Sequence, residues 1–123
     1  FQGGLTLSRI REAASRLREM EARGEQVALD VALEVHQATI GVEEAKARLE
    51  VSFSRREFAR RALEEVRSQY AQEVVTVDAL LQAELEWNRA EVAYTAALFD
   101  QRIADAALKQ ALGEFARWTE VGS

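Results

Sequence analysis

Between residues 80 and 115 alanine returns every seven residues, as Ala83, Ala90, Ala97, Ala104 and Ala111. A second series, offset by three, reads Leu80, Trp87, Tyr94, Gln101, Leu108 and Phe115. Alternating steps of three and four hold one face of a helix against a partner. Upstream, Ile10, Ala14, Leu17, Gly24, Ala28, Val31, Val35, Ala38, Val42, Ala45, Leu49, Ala59, Leu63, Val66 and Tyr70 keep one heptad phase, interrupted by Glu21, Ser52 and Arg56. The pattern predicts a helix over 8–70, roughly 95 Å long at about 1.5 Å per residue, and a second over 78–118. Gly3-Gly4 is expected to end whatever precedes, with Thr6 or Ser8 as the first N-cap. Residues 71–77, Ala-Gln-Glu-Val-Val-Thr-Val, lose the heptad and carry β-branched pairs that disfavour helix. They form the expected tip, with Thr76 or Asp78 capping the return helix.

The partner of the alanine face lies in the same chain. An antiparallel return centred on Glu73 sets the five alanines against Leu63, Arg56, Leu49, Val42 and Val35. It sets Trp87, Tyr94, Gln101 and Leu108 against Ala59, Ser52, Ala45 and Ala38. Large meets small along the seam, as close packing of two helices requires. Arg56 is the misfit opposite Ala90 and is expected to snorkel outward. The fold class is therefore all-α, a long antiparallel coiled-coil hairpin. Further apolar stripes, Leu33, Ile40, Val51 and Phe58 on the first arm and Val92, Ala96, Phe99, Ile103 and Ala106 on the second, lie off the seam. They call for more helices alongside. Reflection about Glu73 also leaves Ser8 to Val27, with Ile10, Leu17 and Met20, as an overhang without an intrachain partner. The isolated chain is expected to self-associate through that overhang and the outer stripe.

Composition narrows the picture. The 123 residues suffice for one domain at most, and the absence of proline suits long uninterrupted helices. A net charge of −5 argues against a non-specific nucleic-acid surface. Without cysteine there is neither disulfide nor thiolate metal site. No run of eighteen apolar residues is present to span a membrane as a helix. Phe1-Gln2-Gly3 reads either as the tail of a cleavable tag or as native sequence.

An ordered set of motifs resembles the second helical hairpin of the TolC-type outer-membrane efflux proteins. Phe1-Gln2-Gly3-Gly4 matches the aromatic-x-Gly-Gly exit from a β-barrel strand, and Ser8-Arg9-Ile10-Arg11-Glu12-Ala13 the basic helix start. Glu34-Val35-His36-Gln37-Ala38 matches a Glu-Val-x-x-Ala segment. At the far end, Tyr70-Ala71-Gln72-Glu73-Val74-Val75-Thr76, then Leu80-Leu81-Gln82-Ala83, follow the family's tip and leucine-rich restart. Leu108-Lys109-Gln110-Ala111-Leu112-Gly113 matches its Leu-x-x-Ala-Leu-Gly ending. The resemblance implies a fragment of a homotrimeric channel of a tripartite efflux or type I secretion system, in the periplasmic helical tunnel below the outer membrane of a Gram-negative bacterium. It implies membrane contact only through β-barrel segments outside this chain. Implied partners are a periplasmic adaptor protein and an inner-membrane pump, and the docking tip would be Tyr70, Gln72, Glu73, Val74, Val75, Thr76 and Asp78. The family's tip glycine falls on Glu73, and its entrance acids fall on Ala79 and Gln82.

Other candidate chemistry is thin. His36, the single histidine, has no acid at i+4 and reads as solvent-facing or packed rather than as a metal ligand. Arg55, Arg56, Arg60 and Arg61 sit at pairing distance from Glu57, Glu64 and Glu65, a salt-bridged solvated face. Trp87, Tyr94 and Phe115 read as core. No nucleophile–base pair or phosphate loop is present, so the expectation is a non-enzyme without cofactor or metal. Two alternatives share the shape: the α-hairpin of a periplasmic adaptor protein and a free-standing coiled-coil scaffold.

Overall fold

The computed structural model describes residues 2–122, and the side chains of residues 6–120. Two helices account for nearly all of it, α1 over Gln2–Ala71 and α2 over Val77–Gly122, with no strand among the described residues. The chain divides into two units, one of Ala38–Lys109 and one of Phe1–Gln37 with Gln110–Ser123.

Within Ala38–Lys109 the two arms form an antiparallel hairpin, and burial follows the heptad seam. Ala45, Ala59, Leu63 and Ala97 are buried, and Val42, Leu49, Ser52, Trp87, Ala90, Tyr94 and Ala104 are half-buried. Leu63, 3% exposed, is the one large buried side chain. The outer stripe stays in water, with Ile40, Val51, Phe58, Val92, Phe99 and Ile103 all exposed. Two helices side by side bury one stripe each, so the second stripe has nothing to lie against.

In the other unit Ala111 is buried, and Val31, Val35 and Trp118 are half-buried. Ile10, Leu17 and Met20 are exposed although the first two hold heptad positions. This agrees with an overhang lacking an intrachain partner. Phe115, expected in the core, is exposed as well, as is Leu33 of the outer stripe.

Helix ends differ from expectation. α1 begins at Gln2 rather than Ser8, so Gly3-Gly4 lies inside the helix and neither Thr6 nor Ser8 caps it. A glycine stops a helix by taking up positive φ, and no described glycine does so here. Without that turn a glycine merely weakens the helix, by about 1 kcal/mol relative to alanine. α2 likewise continues past Trp118 to Gly122.

The tip ends α1 in a Schellman turn. The Glu73 N–H donates to the Tyr70 carbonyl at 3.0 Å and the Val74 N–H to the Gln69 carbonyl at 2.9 Å. Glu73 carries the left-handed backbone this turn demands, with φ of 60°. A side chain there costs roughly 1–2 kcal/mol that glycine does not incur. Glu73→Gly is therefore expected to stabilise the chain by about 0.5–1 kcal/mol in urea denaturation, the gain being reduced by the freer unfolded chain. Glu73→Val should lower stability in the same assay.

Candidate functional site at the hairpin tip

The turn described above displays its side chains because its backbone is satisfied internally. Beyond the Schellman pair, the Gln72 N–H donates to the Ser68 carbonyl at 3.1 Å. Thr76 caps α2, its Oγ1 accepting from the Ala79 N–H at 3.3 Å. Asp78 sits in the first turn of α2, where a carboxylate favours the positive helix end. Of the seven expected tip residues, Tyr70, Gln72, Glu73, Val74, Thr76 and Asp78 are exposed, and Val75 is half-buried.

Val74 is 69% exposed, and Val77 and Leu81 are also open to water. The expected docking set includes neither Val77, at the end of the tip segment, nor Leu81, in the leucine-rich restart. A signal for Leu81 was present, since of the adjacent leucines 80 and 81 only Leu80 fits the seam. From Ser68 to Asn88 the chain holds no lysine or arginine, while Glu73, Asp78, Glu84 and Glu86 supply acid. Arg67 and Arg89, just outside this stretch, pair with Glu84 at 3.8 Å and Glu86 at 3.3 Å, so the end of the hairpin is apolar side chains beside the carboxylates of Glu73 and Asp78.

Further along the same hairpin, Arg56 departs from expectation. Its guanidinium does not snorkel free. It lies 4.9 Å from the Tyr94 ring centre and 5.6 Å from that of Trp87, with Glu91 at 3.6 Å. Tyr94 also meets Phe53, ring centres 6.0 Å apart. The side chain is 32% exposed, and two aromatic faces and one carboxylate replace the water it gives up. Because Trp87 and Tyr94 bracket Ala90, this contact is an independent reading of the register centred on Glu73. The local ion-pair reading holds for Arg60, bonded to Glu57 at 2.8 Å and Glu64 at 2.9 Å, but Arg56 reaches across to the other arm instead. The Arg60 hydrogen bond, opposed by burial and joined by the charges of Arg60, Arg61 and Arg56, lowers the Glu57 carboxyl from its ordinary value.

His36 is exposed, and among the described residues no cluster of three or more His, Cys, Asp or Glu is arranged to hold a metal ion. No described helix is long and apolar enough to cross a membrane.

In the unit of residues 1–37 and 110–123, Glu34 shares a hydrogen bond with Glu114. That bond, then the Glu114 charge, some burial and the charge of Asp30 raise the Glu34 pKa above the ordinary carboxylate range. No family model, characterised protein or solved structure matches the chain.

Two outcomes are expected. Arg56→Lys keeps the charge but loses the flat guanidinium, and should cost about 1 kcal/mol in urea denaturation. Arg56→Ala should cost about twice that. Because the folded pKa of Glu34 is raised, its bond to Glu114 contributes fully below the ordinary carboxylate range and is lost as pH rises through the raised value. Glu34→Gln should abolish that part of the pH dependence of thermal unfolding and raise the midpoint at neutral pH.

Proposed function

We propose that this chain is a wall segment of the periplasmic tunnel of a TolC-type outer-membrane channel, serving an efflux or type I secretion system, and that its tip docks an adaptor protein. The observation that carries the reading is the coincidence of two surfaces on one hairpin. Its outer stripes, Ile40, Val51, Phe58, Val92, Phe99 and Ile103, are left for neighbouring helices to cover. Its tip ends in exposed Tyr70, Val74 and Val77. A wall element needs lateral apolar faces, and a docking element needs an apolar end. The ordered motifs from Phe1-Gln2-Gly3-Gly4 to Leu112-Gly113 add to it. In this reading the assembled channel is a homotrimer, its strands lie outside this chain, and the hairpin forms part of the tunnel wall and docks the adaptor.

Glu73 takes the place of the family's tip glycine and holds the same left-handed turn at a cost in strain. It also brings a carboxylate to the docking end. With Asp78 beside it, the adaptor surface that fits is apolar with a basic rim.

The test is binding of the 123-residue chain to the adaptor hairpin encoded in the same genome. Val74→Asp with Val77→Asp should weaken binding about tenfold or more while leaving helicity unchanged. Unchanged affinity would remove the tip from the docking role. Flanking sequence separates this reading from an adaptor's own hairpin: β-barrel strand patterns support the channel, two halves of a lipoyl-like domain the adaptor.

A further inference from the structure

One face of the Ala38–Lys109 hairpin holds a groove of 640 Å³ floored by Ala59, Ala62, Ala83, Ala90 and Ala93. Phe58 stands at its lip, 76% exposed, the most exposed of the large apolar side chains on the described chain. A hollow of alanines and a projecting ring on the same face are self-complementary. That is the condition for an isologous contact, in which each copy supplies both knob and hole.

Charge selects the arrangement. The residues preceding Leu49 and Arg56 on α1 are Arg48 and Arg55, and those preceding Trp87 and Gln101 on α2 are Glu86 and Asp100. The seam row on this face is thus basic on one arm and acidic on the other, but Arg89 also lines the groove on α2 and pairs with Glu86 at 3.3 Å, so Arg48 and Asp100 carry the selection. Two copies face to face with their two-fold axis parallel to the helices lay each first arm on the other's second arm. Arg48 then comes level with Asp100 of the second copy. A perpendicular axis lays first arm on first arm and sets like charges together.

Area suffices as well. Each arm of this unit is about 50 Å long and about 10 Å wide, so two side by side give a footprint near 1,000 Å². A stable interface takes about 800 Å² per partner. The chain exposes 9775 Å², whereas a compact monomer of its 13.8 kDa exposes roughly 6,600 Å².

We propose that this alanine-floored face binds the same face of a second copy of the chain, tips at the same end, with each Phe58 seated over the partner's alanines. The contact takes Phe58 from the first arm's outer stripe, and it is distinct from the overhang and from the second arm's stripe through Phe99 and Ile103. It stands whether or not the channel reading does, because it needs neither the adaptor nor the tip.

The experiment is sedimentation equilibrium of the 123-residue chain across micromolar concentrations, with helicity checked for every variant by circular dichroism. A dimer is expected. Phe58→Ala and Ala93→Glu should each raise its dissociation constant about tenfold or more. Phe99→Ala, in a different groove that it lines with Val92 and Leu98, should leave the constant unchanged. Arg48→Glu should weaken the dimer, and adding Asp100→Arg should restore it. A monomer at every concentration, a trimer, a dimer sensitive to Phe99→Ala but not to Phe58→Ala, or a dimer strengthened by Arg48→Glu alone would each overturn the proposal. Loss of adaptor binding by tip variants leaves this result untouched, so the two readings fail separately.

Discussion

Two helices pressed together along one seam can remove only one stripe of each from water, and here that seam is built largely of alanine. Among the described residues, four of the five buried apolar ones, Ala45, Ala59, Ala97 and Ala111, are alanines, and Leu63 is the exception. An alanine seam lets backbones approach closely but buries little area per residue. At about 25 cal/mol per Å² the hydrophobic return is correspondingly small. Everything else follows from that shortage: the exposed stripes, the bare overhang, and the need for neighbouring helices before the fold resembles an ordinary core. The proposed role as one wall segment of a larger assembly accords with a hairpin that leaves so much apolar surface exposed.

A seam of alternating small and large residues also risks slipping by a heptad, since one alanine layer resembles the next. Arg56 breaks that degeneracy. Its guanidinium finds Trp87, Tyr94 and Glu91 together in one register only. Shifted by seven residues either way, Arg56 would keep one ring of the two, and in one direction Leu98 would replace the carboxylate as well. A polar residue at a single seam position setting alignment at some cost in stability is a known device of coiled coils. Arg60 with Glu57 and Glu64, by contrast, forms a local network on one arm, half-buried at Arg60 and Glu57, that contributes little to alignment.

The proposed roles divide between the end and the sides of the hairpin. At the tip, a Schellman turn and the Thr76 cap satisfy the backbone, so the exposed Tyr70, Val74 and Val77 are available to a partner without unfolding anything. On the sides, small residues leave hollows and single large ones project, which suits lateral packing of helix against helix.

The sequence by itself determined the hairpin, its register about Glu73 and the stripe that would remain in water, and it narrowed the cap of α2 to Thr76 or Asp78, of which the structure uses Thr76. Each rests on helical periodicity, side-chain size or turn chemistry, which act over a few residues and are written locally. Only the tertiary structure decided where Arg56 goes, because its partners lie more than thirty positions away in the chain. The same holds for Phe115 and Tyr70, which keep the heptad phase yet stay exposed. Periodicity names the face a residue occupies, and burial depends on whether a second element covers that face. The start of α1 at Gln2 has a parallel cause. A glycine pair permits a helix to end, but the backbone conformation that ends it is chosen by the surrounding structure, and here none of the described glycines adopts it.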